Sequence, residues 1–123
     1  MYEVMIEEEF SAAHALRGYR GKCENMHGHN WKVEVEVCAT GLDELGMGLD
    51  FKVIKTAAAV LTAKLDHHYL NEIEPFDRLN PTAENLAACL YKGLSEMLND
   101  SRIRVQAVTL WETDRAGVCY REV

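Results

Sequence analysis

The sequence predicts an α+β fold, an antiparallel sheet with two helices on one face, in the order ββααββ. Three observations carry this. Residues 30–40 alternate strictly between apolar and polar. Residues 51–65 and 81–98 repeat apolar side chains at helical spacing. Two further strand-like runs, 103–111 and 118–123, flank a polar turn. Strands that enclose a pair of helices in sequence place those helices together on one side of a sheet.

The first strand runs from Tyr2 to Phe10, where Val4, Ile6 and Phe10 are set among glutamates. Residues 17–28 are rich in Gly, Arg and polar groups and read as a loop. In the second strand Trp31, Val33, Val35 and Val37 face one way, while Lys32, Glu34, Glu36 and Cys38 face water. Gly41 to Gly48 is a connection. Asp50 is placed to cap a helix from Phe51 to Leu65, whose stripe is Val53, Ala57, Val60, Leu61 and Lys64. Pro81 suits the first position of a second helix, with Leu86, Leu90, Leu94 and Met97 as its apolar side. Ile103–Trp111 and Val118–Val123 are the last strands, joined through Asp114–Gly117. A four-stranded sheet has open edges that must be blunted or paired, which hints at self-association.

The length of 123 residues fits a single domain, 1–123, with no internal repeat or linker. An apolar fraction of 48% is enough to build a core, so disorder is excluded as an expectation. The net charge of −7 argues against a nucleic-acid partner, because phosphate backbones demand clustered Lys and Arg. No apolar run approaches the roughly 20 residues of a membrane span, and the acidic N-terminus does not read as a signal peptide. The four cysteines, Cys23, Cys38, Cys89 and Cys119, form no CxxC pair. Free thiols in a reducing cytoplasm are the expectation.

Four of the five histidines fall in two clusters. His27 and His29 flank Gly28, and period-two spacing points both imidazoles to one side. If the first two strands pair, His14 lies near them. Three neutral nitrogen ligands without a fourth protein ligand are the pattern of a catalytic zinc site. A polar loop with incidental histidines is the competing reading. Cys23 lies among Arg20 and Lys22, and cationic neighbours favour the reactive thiolate; a free cysteine is otherwise a small buried hydrophobe. In Leu65-Asp66-His67-His68 an Asp beside a His can orient the imidazole. A histidine at a helix C-terminus also complements the dipole, and for His68 that reading is preferred. Glu112 shares a strand face with Val108 and Leu110. It needs either a partner offering two N–H groups or a strand end that leaves it wet. Glu84 lies in a first helical turn, where a carboxylate is favoured in any case.

Taken together, Phe10-Ser-Ala-Ala-His14, Cys23-x-x-x-His27-Gly28-His29, Gly48-Leu49-Asp50-Phe51, Leu65-Asp66-His67, Pro81-Thr82-Ala83-Glu84-Asn85 and Trp111-Glu112-Thr113 resemble the 6-pyruvoyl/6-carboxy-tetrahydropterin synthase family. The motifs stand in the family's order over nearly the whole chain. The resemblance implies a tunnelling fold that assembles into a barrel-like homohexamer, a dimer of trimers with active sites between subunits. It implies zinc on His14, His27 and His29, Cys23 as catalytic base, and Asp66 with His67 as a proton relay. It implies that Glu112 anchors the pterin, assisted by Thr82 and Glu84. The reaction implied converts 7,8-dihydroneopterin triphosphate to 6-carboxy-5,6,7,8-tetrahydropterin, acetaldehyde and triphosphate, for 7-deazaguanine and queuosine synthesis. The alternatives are a 6-pyruvoyl product or, through the Cys23-Glu24 pair, cleavage to 6-hydroxymethyl-dihydropterin for folate synthesis. Glu24 reads equally as a solvated loop residue. Arg17, Arg20 and Lys22 are the candidates for holding the triphosphate, since an acidic protein needs a local basic patch for it. From a different class, a non-catalytic zinc- or pterin-binding module would keep the histidines and Glu112 but would need neither Cys23 nor the Asp66–His67 pair.

Overall fold

The computed structural model describes residues 1–21 and 24–122. Strands β1 (Tyr2–His14) and β2 (His27–Ala39) form a long antiparallel hairpin. Helix α1 (Phe51–Thr62) follows, then a two-residue strand β3 (His68–Tyr69) and helix α2 (Ala83–Leu98). Strands β4 (Ile103–Thr113) and β5 (Ala116–Tyr120) complete the sheet, in the order β3-β1-β2-β4-β5. The expected ββααββ order stands, with one addition: β3 pairs parallel to β1 through Ala12 and Ala13. Two residues with no alternation leave no periodic signal in a sequence.

Both strands of the first hairpin run further than their patterns suggest. His14 does not follow β1 but ends it, and His27 opens β2. Among the added residues, Ser11, Ala12, Ala13 and Gly28 are too small to show alternation. They pair all the same, with Ala12 opposite His29 and His14 opposite His27. Trp31 adds a hydrogen bond from Nε1 to the Ala12 carbonyl, 3.2 Å.

Trp31, Val33, Val35 and Val37 are buried as read, but Cys38 departs from the wet face and is buried beside Ala39. The ladder to β4 shifts register between Glu36 and Val37, skipping Gln106. Gln106 is thus the extra residue of β4, while Cys38 keeps its place opposite Glu3 and is covered by Gln106, whose Oε1 lies 3.3 Å from its Sγ. Among the described residues Cys38, Cys89 and Cys119 are free thiols.

Asp50 caps α1, its carboxylate accepting from Lys52 N–H at 2.9 Å. The buried stripe is Ile54, Ala57, Ala58 and Thr62. Val53 and Val60, expected inside, are 46% and 48% exposed. The small Ala57–Ala58 pair and Gly93 explain the rotation. A Cβ on Gly93 would stand 2.9 Å from Leu61 Cδ1, so the two helices touch closely there. Helix α2 starts later than expected. Thr82 is its N-cap, accepting from Asn85 N–H at 3.1 Å, so Pro81 stands just outside the helix. Met97, read as part of its apolar side, is 46% exposed.

Two connections are held by acidic side chains bonded to backbone. Asp100 accepts from Arg102 N–H (2.8 Å) and Ile103 N–H (2.7 Å), and these bonds hold its carboxyl below the usual range. Asp43 is lowered in the same way, chiefly by Met47 N–H and then by Leu45 N–H, against some desolvation. A carboxyl whose folded pKa is depressed binds fewer protons than its unfolded form. Its contribution is present above the unfolded pKa, near 3.8, and is lost as pH falls through the folded value. The melting temperature is therefore expected to drop as pH falls below about 4. Asp100→Asn should flatten that slope in a pH series of thermal melts; an unaltered slope would refute the assignment.

Candidate metal centre

The β1–β2 hairpin ends in a histidine cluster on the side of the sheet that carries the core. Its register sets His14 against His27, and Ala12 against His29, with Phe10 and Trp31 beneath as the next pair. The ring centroids of His14 and His27 are 4.6 Å apart, His14 and His29 5.2 Å, and His27 and His29 4.8 Å, all edge-to-face. Glu112, near the end of β4, joins them. One ligating atom from each of His14, His27, His29 and Glu112 lies within 4.8 Å of every other.

Glu112 Oε1 stands 3.1 Å from His14 Nε2 and 3.2 Å from His29 Nε2. These contacts are close but not aligned for hydrogen bonding, so both nitrogens are buried without a partner. Two orphaned imidazole nitrogens beside one carboxylate oxygen cost the protein free energy as they stand. A cation removes that cost. Ligands at about 2.0–2.1 Å on a tetrahedral zinc ion stand about 3.4 Å apart; the two Glu112–histidine separations lie near that figure, and the whole group lies within 4.8 Å. The donor set also suits zinc in kind.

The tautomers agree with ligation. His14 Nδ1 lies 2.7 Å from the Pro81 carbonyl, and His27 Nδ1 lies 2.9 Å from the Asn25 carbonyl. A carbonyl only accepts, so both Nδ1 atoms carry the proton and both Nε2 lone pairs face the cluster. Burial lowers the pKa of His29, opposed by the Glu112 charge and reinforced by His14 and His27. The shift favours the neutral form, the form in which an imidazole ligates a metal.

Beside His14 a cavity of about 370 Å³ is lined by Thr82, Glu84, Glu112 and Val118. The residues read as a pterin anchor and its assistants are thus brought to one wall. Glu112 also enters the metal-capable group, a part that its sequence context did not reveal. A larger concavity of about 510 Å³, bounded by Met5, Glu34, Glu36 and Lys55, holds none of the histidines. The chemistry, not the volume, marks the site.

Asp66 and His67 form a pair, with His67 Nδ1 2.9 Å from Asp66 Oδ1. Asp66 also accepts from Ser11 N–H at 2.9 Å, and that bond first, then His67, holds its carboxyl low. His67 has φ +60° and a side chain 82% exposed. It lines an open cleft with His29, Gly28 and Asn30. His68 instead turns its Nδ1 to the Asp66 carbonyl, 2.7 Å away. Gly28, between the two histidines, has room for a Cβ in this chain, the nearest atom being Ala12 O at 3.9 Å.

Glu24 accepts from Leu16 N–H at 3.3 Å and lies 3.6 Å from His27 Nδ1, so it belongs to the cluster's margin. Arg17 has a structural role in the described residues. Its guanidinium donates to the carbonyls of Asn71 (3.1 Å) and Phe76 (2.7 Å), which makes it a clamp on that loop. Arg20 is exposed and rests on the Tyr19 ring, 5.4 Å from its centroid. Lys22 and Cys23 lie outside the described residues.

Comparison with known proteins follows the same line. Residues 3–123 match the pattern of the 6-pyruvoyl tetrahydropterin synthase family. A putative 6-carboxy-5,6,7,8-tetrahydropterin synthase of Archaeoglobus fulgidus is 42% identical over 101 residues, covering 81% of this chain and 83% of the relative. The 6-carboxy-5,6,7,8-tetrahydropterin synthase of Rickettsia typhi is 32% identical over 94% of each chain. The 6-pyruvoyl tetrahydropterin synthase of Caenorhabditis elegans superposes with a TM-score of 0.82 at 28% identity, covering 100% of this chain and 98% of that one.

Proposed function

The chain belongs to the 6-pyruvoyl tetrahydropterin synthase family, and from that premise we propose that it is a zinc-dependent lyase. Its substrate is 7,8-dihydroneopterin triphosphate, and its products are 6-carboxy-5,6,7,8-tetrahydropterin, acetaldehyde and triphosphate. The observation that carries this reading is the pair of buried, unpaired Nε2 atoms of His14 and His29 beside Glu112.

His14, His27 and His29 hold the metal. Zinc, when bound, supplies a Lewis acid that makes the neighbouring substrate C–H bonds easier to ionise. Glu112 reaches the same cavity as Thr82 and Glu84, where a carboxylate accepts paired N–H groups from a guanidine-like ring edge. His67, oriented through Nδ1 by Asp66, keeps Nε2 free to move a proton. Cys23, four residues before His27, is the second proton carrier on this reading.

On this reading the product feeds 7-deazaguanine and queuosine synthesis in the cytoplasm. No helix among the described residues is long and apolar enough to cross a membrane. The chain assembles as a homohexamer with active sites between subunits. Support comes from the sheet edges: β3 covers β1 only at Ala12 and Ala13, leaving an edge on which Tyr2 and Met5 are 50% and 59% exposed. Light scattering should give roughly 83 kDa, six times the 13.9 kDa chain. A mass near that of one chain would refute the assembly.

Mass spectrometry of the pterins formed by the zinc-loaded protein tests the activity. A 6-carboxy product supports the proposal. A pyruvoyl or hydroxymethyl product would move the chain to another reaction of the family, and Glu24 beside His27 would then be the first residue to replace. Zinc and pterin bound without turnover would leave a binding module.

A further inference from the structure

We propose that Asn80 is a positioning residue for His14, and through it sets the affinity and geometry of the three-histidine centre. The inference rests on the metal reading above and concerns a residue outside the ligand set.

The His14 imidazole is held from behind by one acceptor, the Pro81 carbonyl at 2.7 Å from Nδ1. Ring orientation therefore depends on where that carbonyl points. Pro81 is buried, and its own ring fixes φ. Its ψ is held by the bond that spans it, from Thr82 N–H to the Asn80 carbonyl at 2.8 Å, so the carbonyl direction is referred to Asn80, which is pinned at three of its atoms. Asn80 Oδ1 accepts from Arg17 N–H at 2.8 Å, and Asn80 Nδ2 donates to the Arg17 carbonyl at 2.9 Å. Its backbone carbonyl accepts from Asn85 Nδ2 at 2.9 Å and from Thr82 N–H at 2.8 Å.

The two bonds to Arg17 form a closed pair that imitates a strand ladder. They tie Asn80 to the chain three residues beyond His14 itself. One primary amide thus fixes two things to each other: the backbone that carries the imidazole and the carbonyl that orients it. Only an amide offers a donor and an acceptor in that arrangement; a carboxylate would set an oxygen against the Arg17 carbonyl. Asn71 makes a similar closed pair with Ala15, at 2.9 and 2.7 Å, but no carbonyl next to it meets an imidazole. The positioning function therefore falls to Asn80, while Asn71 and Arg17 brace the segment.

Partners that orient a metal-bound histidine typically account for 10–100-fold in metal affinity. Zinc dissociation constants, measured by competition with a chromophoric chelator, read this directly. Asn80→Ala is expected to weaken zinc binding on the order of 10–100-fold and to shift the visible spectrum of the cobalt-loaded protein. Asn80→Asp, which keeps one of the two bonds to Arg17, should weaken it in the same direction and serves if Asn80→Ala does not fold. Arg102→Ala removes donors to the carbonyls of Gly41 (2.9 Å) and Gly48 (2.7 Å) at the opposite end of β2. It should lower stability and leave zinc affinity unchanged. With His14→Ala already present, Asn80→Ala should cause no further loss. The inference fails if both Asn80 variants bind zinc as wild type does, if Arg102→Ala weakens zinc equally, or if the loss is the same without His14. A wild-type protein that binds no zinc would instead overturn the metal reading itself.

Discussion

Zinc is expected to raise the unfolding free energy of the wild-type protein by about 2.7 kcal/mol when free metal is 100 times its dissociation constant. The His29→Ala protein should gain almost nothing under the same conditions. Metal-free, the cluster holds two buried nitrogens without partners, His14 Nε2 and His29 Nε2, crowded around Glu112. Each unpaired group opposes folding by about 1–3 kcal/mol. Removing the His29 imidazole relieves one of them while losing some packing against Trp31, whose ring centroid is 5.3 Å away. The metal-free variant should therefore fold within about 1 kcal/mol of wild type, since the two effects oppose each other. Turnover should fall by more than about 100-fold, because losing an orienting partner alone reaches that figure. Denaturant melts with and without zinc, read beside initial rates, give all three quantities. Equal stabilisation of wild type and variant by zinc would remove His29 from the ligand set.

The parts of this site that were legible in the sequence are those carried by residue type and local spacing. His27-Gly28-His29 announces two imidazoles on one side, and the alternation of Trp31, Val33, Val35 and Val37 says which side is dry. His14 required one long-range assumption, that β1 and β2 pair, and the register supplies it. Glu112 shows the limit. Its face, shared with Val108 and Leu110, follows from alternation, but its place beside the histidines depends on where β4 meets β2, with Trp111 opposite Lys32, and a strand's own pattern does not carry that. Asn71 and Asn80 show it more strongly. Asparagine in a loop reads as turn chemistry, yet their partners Ala15 and Arg17 lie 56 and 63 residues away. Arg17 shows the limit from the other side: a guanidinium in an acidic chain suggests an anion, and the sequence does not say that its Nη2 also donates to the carbonyls of Asn71 and Phe76. Charge is visible in a sequence; which donors are already engaged is not.

Trp31→Ala should produce the largest loss of stability of any single change at this end of the sheet. The indole is fully buried, lies parallel to Phe10 at 6.0 Å, and donates to the Ala12 carbonyl at 3.2 Å. It also forms the floor of the metal centre, meeting His14 at 5.0 Å and His29 at 5.3 Å, both edge-on. Truncating a buried Trp to Ala costs about 3–5 kcal/mol, a large share of the roughly 5–15 kcal/mol that keeps such a domain folded. Urea unfolding should show a much lower midpoint with little change in slope, as expected when stability alone changes. Trp31→Phe separates packing from support of the site. It keeps most of the buried ring and loses the Nε1 donor, at about 1 kcal/mol for the hydrogen bond. Zinc affinity should nevertheless fall, because the smaller ring no longer holds both imidazole edges. A Trp31→Ala protein destabilised by less than about 1 kcal/mol would mean that the indole, though buried, does not support this end of the sheet. If Trp31→Phe loses stability but keeps wild-type zinc affinity, the floor is structural, and the orientation of His14 and His29 is set instead by Pro81 and the β1–β2 ladder.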